Sequence, residues 1–396
     1  MVRAHLHTRP AWEIFCQVVD NFGDIGVCWR LACDLARREG APVRLWVDDW
    51  AVLCRICPSA AGGDGGHGLL VEGVELRHWV EPFPVLTPGE VVIEAFACEL
   101  PDTHLQSMAR VAVKPVWINL EYLSAEDWVA GCHALASPHP RLPLVKHFFF
   151  PGFDAASGGL LREADLLARR DAFVGSPAGR QAWLAARRLD HLPDDTLFVS
   201  LFAYAQPALG ELLAAWQAGP RAVALLVPAS RVLGDVAHAL GLSGLRVGES
   251  VTRGRLEVHV LPFTDQAGYD ALLWSCALNF VRGEDSFVRA QWAGSPFVWQ
   301  IYPQAEDSHR DKLEAFLARY CAGLPAGEAE ALAGFWRAWN GFAGDGPSLG
   351  EAWPRLAAVL PALAAHARRW CERQAAQPDL VSRLTKFCSH IMGAPR

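Results

Sequence analysis

The sequence predicts an α/β protein made of two doubly wound parallel sheets in succession, followed by a helical tail. Three observations lead there. Apolar runs of strand length alternate with helical patterns through the first half, the alternation restarts near residue 196, and the chain becomes mostly helical beyond residue 308. Strands separated by helices imply βα units and parallel pairing. At 396 residues the chain also exceeds a comfortable single core, so two domains are the natural division.

In chain order, the apolar run at 14–19 reads as a buried strand. A turn comes next at 20–26, Asp-Asn-Phe-Gly-Asp-Ile-Gly. Val27, Cys28, Leu31 and Leu35 then share one helical face. Residues 43–47 form the next strand, and AAGGDGGHG at 60–68 is a flexible loop. Runs at 71–79, 91–96 and 115–120 are further strands. A charged helical stretch at 164–190 ends in HLPDD, a natural domain junction. The second half reads as strand 196–204, helix 207–218, strand 222–227 and a Ser-capped helix 230–240. Strand 256–261, helix 265–274, strand 277–281, helix 286–293 and strand 297–300 complete it. No solenoid-length repeat is present. The expected architecture is two Rossmann-like domains facing across a cleft. GT-B glycosyltransferases, some epimerases and periplasmic-type binding proteins share it, so the fold does not settle function.

Composition narrows the classes. Hydrophobic residues are 52%, charged residues 20% and net charge −7, which fits a packed globular protein that lacks the basic face of a nucleic-acid binder. An acidic balance suits a site for a cationic group. No apolar run is long enough for a bilayer, and the N-terminal stretch lacks a signal-peptide core. The 11 cysteines are scattered and odd in number, as expected of reduced thiols in a cytoplasmic protein. Cys54-x-x-Cys57 has no second pair or His-x-x-x-His to complete a zinc site. No metal is expected.

Two segments carry candidate chemistry. Asp20 and Asp24 lie where a strand's C-terminal end meets a helix N-terminus, the edge at which open α/β sheets bind ligands. Paired carboxylates there suit acid–base work or cation recognition. Asp24 as an N-cap, and Asp20 as an Asx turn, remain equally open. Only Gly23 and Gly26 are present, so the dinucleotide fingerprint is absent. The second segment is Arg282-Gly283-Glu284-Asp285-Ser286, again between strand and helix. Gly283 allows close backbone approach, and Asp285 or Ser286 can cap the helix, aiming its N–H groups at a phosphate. Glu284 is better suited to sugar hydroxyls than to phosphate, or is simply a surface residue. Phe202, Tyr204, Phe263, Gln266, Tyr269, Tyr302 and Gln304 add aromatic and amide groups at neighbouring strand ends. For any one of these aromatics alone, core packing is the simpler reading.

Several segments resemble one family: WEIFCQVVDNFGDIGVCWRLA, VIEAFACELP, WINLEYLSAEDW, HFFFPGF with GGLLRE, and FVRGEDSFVRAQWAGSPFVWQIYPQ. They are similar to the bacterial protein-arginine rhamnosyltransferases of translation elongation factor P, the EarP family, from about Trp12 to the C-terminus. The resemblance implies a GT-B fold with an acceptor domain at 1–186, a donor domain at 187–367, and a C-terminal helix, about 368–396, returning to the first domain. It implies inverting, metal-independent transfer of L-rhamnose from dTDP-β-L-rhamnose to an arginine of elongation factor P, relieving ribosome stalling. No cofactor, nucleic acid or membrane partner is implied. Asp20, Asp24 and Glu284 match the catalytic residues. Phe202, Tyr204, Phe263, Gln266, Arg282, Asp285, Ser286 and Tyr302 match the donor pocket. Tyr269 departs from the pattern, which would carry phenylalanine, and Cys33 and His147 are smaller departures outside the site. A sugar-nucleotide epimerase, or a non-catalytic nucleotide-sugar binding module, is the alternative on the same fold.

Overall fold

A computed structural model describes residues 9–303, 308–344 and 346–393. The first part of the chain runs β1 (Trp12–Cys16), α1 (Phe22–Glu39), β2 (Val43–Val47), α2 (Trp50–Ile56), β3 (Leu69–Val71), β4 (Val74–His78), β5 (Val91–Ala95), α3 (Asp102–Arg110), β6 (Val116–Leu120), α4 (Val129–Cys132), β7 (Ala136–Pro138) and β8 (Val145–Phe149). Next come α5 (Leu166–Val174), α6 (Pro177–Ala185), β9 (Leu197–Leu201), α7 (Leu209–Ala218), β10 (Val223–Pro228), α8 (Leu233–Ala239), β11 (Ser250–Arg253), β12 (Leu256–Leu261), α9 (Gln266–Ser275), β13 (Leu278–Arg282), α10 (Asp285–Ala293) and β14 (Phe297–Gln300). The tail is α11 (Ser308–Tyr320), α12 (Ala326–Trp339), α13 (Leu349–Ala375) and α14 (Leu380–Gly393).

These elements form two compact units, residues 1–164 with 377–396, and residues 165–376. The first holds an eight-stranded sheet in the order β3-β4-β2-β1-β5-β6-β8-β7. Only its edge strands, β3 and β7, pair antiparallel. The second holds a six-stranded sheet, β11-β12-β10-β9-β13-β14, with β11 antiparallel at the edge. In each sheet the winding reverses beside a central strand, between β1 and β5 in the first and between β9 and β13 in the second. Such switch points open a crevice at the carboxyl ends of the strands. Both candidate segments stand at them.

The unit boundaries fall at 164/165 and 376/377, whereas the sequence placed them at 186/187 and near 368. The charged stretch packs within the second unit. Arg170 Nη1 donates to Trp292 O at 2.8 Å. Trp183, Leu184 and Leu189 join a core cluster with Phe198, Leu226 and Leu272. At the other boundary α13 belongs wholly to the second unit. Its Trp370 Nε1 donates to Gln291 Oε1 at 2.8 Å.

The last helix, α14, completes the first unit. Asp379 takes Arg38 Nη1 on both carboxylate oxygens, at 2.8 and 2.9 Å, and accepts from Ser382 N at 2.9 Å. Leu380 N donates to Leu160 O, and Arg383 to the carbonyls of Asp154 and Ser157. The Phe387 ring lies against His147 and Phe149 of β8.

Strand β1 carries a buried carboxylate, Glu13, at the core of that unit. Its Oε1 accepts from Trp46 Nε1 at 2.8 Å and Arg44 Nη1 at 3.1 Å. Its Oε2 accepts from Gly89 N at 3.0 Å and lies 3.2 Å from His104 Nε2. Burial pushes its pKa up, but His104, Trp46 and Gly89 outweigh burial and hold it at about 2. A folded-state pKa below the ordinary 4.5 gives stability that is present above pH 4.5 and lost as pH falls toward 2. The full shift corresponds to about 3 kcal/mol. Urea unfolding should therefore show the advantage of wild type over Glu13→Gln shrinking between pH 6 and pH 3. A pH-independent difference would refute it.

Candidate functional site

In the first unit the site grows from the turn between β1 and α1. The strand stops at Cys16, earlier than the apolar run suggests, because Val18 N turns to Asp48 Oδ1 at 2.9 Å. Gly23 N closes the turn on Asp20 O at 2.7 Å. A Cβ at position 23 would stand 2.8 Å from Asp20 Oδ2, so glycine lets that carboxylate lie against the turn. Asn21 takes φ 46° and ψ −99°, a positive-φ conformation outside the left-handed helical basin. It occupies the N-cap position without a side-chain cap bond.

Asp24 is therefore not the cap. It sits inside the first turn of α1 and reaches backward. Its Oδ2 accepts from Val19 N at 2.8 Å and Asp20 N at 2.7 Å, and its Oδ1 accepts from Tyr122 Oη at 3.1 Å. The residue is 2% exposed. Burial pushes its pKa above the usual aspartate value, with Asp48 adding to the rise and the three hydrogen bonds opposing it. A buried carboxylate poised upward is suited to take a proton. Asp20 is half-buried.

Sequence reasoning missed Tyr122 and Phe96 as site residues. Tyr122 follows β6 by two residues, and its ring stacks on Phe96 at 4.4 Å and 17°. Phe96, Ala97 and Glu99, after β5, all have positive φ, at 57°, 55° and 53°. Left-handed non-glycine residues in such density are a mark of functional loops. Ala97 N donates to Asn119 Oδ1 and Phe96 N to Leu120 O, which holds the loop on β6. The available signal was an aromatic just beyond each strand end, in EAFACE and INLEY.

In the second unit the cluster is aromatic and cationic. Arg282, the last residue of β13, is buried. Its guanidinium carbon lies 4.6 Å from the Phe202 ring centre and 4.4 Å from that of Tyr204, a double cation–π arrangement. Tyr302 meets Tyr204 edge-on at 5.6 Å, and Tyr269 meets Phe202 edge-on at 5.6 Å. Gln300, at the end of β14, accepts from Tyr204 N at 2.8 Å and donates to Ala205 O at 3.2 Å. The ends of β9, β13 and β14 are thus tied together.

Beyond Arg282 the chain turns at Gly283, φ 60°, the left-handed region that favours glycine. Neither Asp285 nor Ser286 caps α10. Glu284 occupies the N-cap position without a side-chain cap bond. The Ser286 hydroxyl accepts from Arg282 N at 3.0 Å and donates to Arg282 O, so it locks the turn. Glu284 and Asp285 are half-buried at the turn. Phe263 and Gln266 stand on the same carboxyl edge, after β12 and at the start of α9, where Asp265 caps the helix through Gly268 N. The Tyr269 hydroxyl is buried without a hydrogen bond of normal geometry. Burial pushes its pKa far up, with neighbouring Ser286 drawing it back. Gln304 lies outside the described residues. Among the described residues, no group of three or more His, Cys, Asp or Glu is placed to hold a metal, and no helix is long and apolar enough to cross a membrane.

Two doubly wound units, each with a candidate cluster at its switch point, have the architecture of the GT-B glycosyltransferases. A glycosyltransferase from Rickettsia africae, only 8% identical, shares this fold at a TM-score of 0.54, covering 98% of this chain and all of that one. Residues 12–389 match the model of the elongation factor P (EF-P) rhamnosyltransferase family, EarP, and the chain belongs to that family. Protein-arginine rhamnosyltransferase of Pseudomonas aeruginosa is 51% identical over 377 residues, covering 95% of this chain and 98% of its own. Its namesake from Pseudomonas putida is 50% identical over 382 residues, with coverage of 96% and 98%. A solved structure described as the basis for EarP-mediated arginine glycosylation of translation elongation factor EF-P aligns at a TM-score of 0.69 and 39% identity, covering 96% of this chain and 99% of that one.

Proposed function

We propose that this enzyme transfers L-rhamnose from dTDP-β-L-rhamnose to a guanidinium nitrogen of one arginine in elongation factor P. The transfer inverts configuration at C1 and equips the factor to relieve ribosome stalling. The observation that carries the reading is Asp24, a buried carboxylate with a raised pKa and Asp20 beside it on the same turn, in a chain of this family.

Arginine demands such a pair. Its pKa lies above 12, so at neutral pH it is a cation and a poor nucleophile. Two carboxylates offset its charge and match its planar fork. In the proposed step the nitrogen lone pair forms the N–C1 bond. The C1–O bond to the diphosphate breaks, with its electron pair leaving on dTDP. The nitrogen's proton passes to Asp24, and Asp20 clamps the guanidinium. Arg282 and the N–H groups opening α10 offset the charge growing on the leaving diphosphate, without a metal. Phe202, Tyr204, Phe263, Gln266, Asp285, Ser286 and Tyr302 shape the nucleotide pocket.

The direct test is incubation with dTDP-rhamnose and elongation factor P, followed by intact-mass measurement. The factor should gain one deoxyhexosyl unit, and dTDP should appear only when the acceptor is present. Release of an epimerised nucleotide sugar without acceptor would favour the epimerase reading. A further expected result concerns donor binding. Arg282→Ala should weaken dTDP binding by roughly 1.5–3 kcal/mol, the scale of a charge-assisted bond. Calorimetric titration should show wild-type binding without added divalent metal. Binding abolished by EDTA would overturn the metal-free reading.

A further inference from the structure

A carboxylate offers about four lone-pair directions. On Asp24, the backbone N–H groups of Val19 and Asp20 address Oδ2 at 2.8 and 2.7 Å, and the Tyr122 hydroxyl addresses Oδ1 at 3.1 Å. The backbone pair alone fixes one oxygen and leaves the carboxyl plane free to rock about it. The third bond, from a different strand end, fixes the plane. We propose that Tyr122 is a positioning residue for arginine glycosylation, orienting Asp24 so that Oδ1 presents its remaining lone pair to the nitrogen being glycosylated.

This rests on the reading of Asp24 as the base. Tyr122 is itself held. Its ring stacks on Phe96, whose left-handed backbone and bond to Leu120 O set the ring's place. Consecutive strands of the sheet, β1, β5 and β6, thus supply the turn bearing the acid, the platform and the donor. The hydroxyl also acts on charge. A hydrogen bond to the ionised carboxylate favours that form, against burial and Asp48, which favour the protonated one. The titratable groups around Asp24 are Asp20 of the same turn, Asp48 after β2, Cys16 at the end of β1, whose buried thiol is pushed well up, and Tyr122. Of the side chains among these, Tyr122 is the one that donates to Asp24.

Tyr122→Phe keeps the ring on Phe96 and removes one oxygen. Turnover should fall about tenfold as the carboxylate loses its fixed plane, and the acid limb of the kcat/KM profile should move up. The orientation loss should persist above the shifted limb, with dTDP affinity unchanged and the melting temperature lowered by no more than about a few degrees. Replacing Tyr122 with 3-fluorotyrosine, a stronger donor on the same ring, should move the limb the other way. An acid limb that stays at its wild-type position in both variants, or wild-type turnover in Tyr122→Phe, overturns the proposal. Asp24→Asn separates it from the reading beneath it. Activity retained in Asp24→Asn removes the base itself. An inactive Asp24→Asn beside a wild-type Tyr122→Phe removes only the positioning role.

Discussion

Asp24→Asn is expected to lower arginine glycosylation by at least about a hundredfold, the scale of a lost general base, with the fold intact. The amide oxygen can still accept from Val19 N and Asp20 N, so the turn keeps its tie. The proton acceptor is gone. Single-turnover mass measurement with elongation factor P reads the chemistry, and titration with dTDP should show donor affinity unchanged. Asp24→Ala should lose the same activity and also stability. Two backbone N–H groups and the Tyr122 hydroxyl lose their acceptor at a part-buried turn, a cost of up to about 1–3 kcal/mol. Asp20→Ala, at a half-buried position, should lose turnover on a similar scale with little change in melting temperature. Near-normal turnover in Asp24→Asn would leave that residue a purely structural tie.

Glu284→Gln should keep much of the dTDP affinity and lose turnover by at least about tenfold. The residue follows the left-handed Gly283 and stands at the N-terminus of α10, half-buried. A carboxylate in direct contact with a diphosphate would be repelled, so the partner expected in the proposed reaction is a sugar hydroxyl or the charge developing at C1. Such contacts count for more in the transition state than in the ground state. If affinity and turnover fall together, the residue anchors the donor. If neither moves, it is a bystander at the helix start.

Both sheets and both strand-end segments were legible in the sequence, because their signals are local. An apolar run, a glycine-bearing turn and a 3.6-residue periodicity each fit within about twenty residues. The antiparallel edges escaped. β7 is three exposed residues and β11 is four, three of them exposed, too short and polar to register. The bonding of Asp24 was open in the sequence, since an aspartate near a helix start often caps it and here reaches back to the preceding turn. Tyr122 was out of reach, because its bond to Asp24 spans 98 residues of sequence. The three left-handed residues of the β5–α3 loop carry no glycine to announce them. The unit boundaries slipped because α5 and α6 are charged like a linker yet bury Trp183 and Leu184.

The first unit is discontinuous, and this bears on how the chain is made. A ribosome completes the eight-stranded sheet by residue 149, yet more than two hundred further residues emerge before α14. Until then Arg38 lacks its Asp379 partner, and the face of β8 that receives Phe387 waits uncovered. Domains usually consolidate in order of synthesis, but this one closes last. A fragment cut after residue 164 should therefore be aggregation-prone, and supplying residues 377–396 as a separate peptide should restore its solubility.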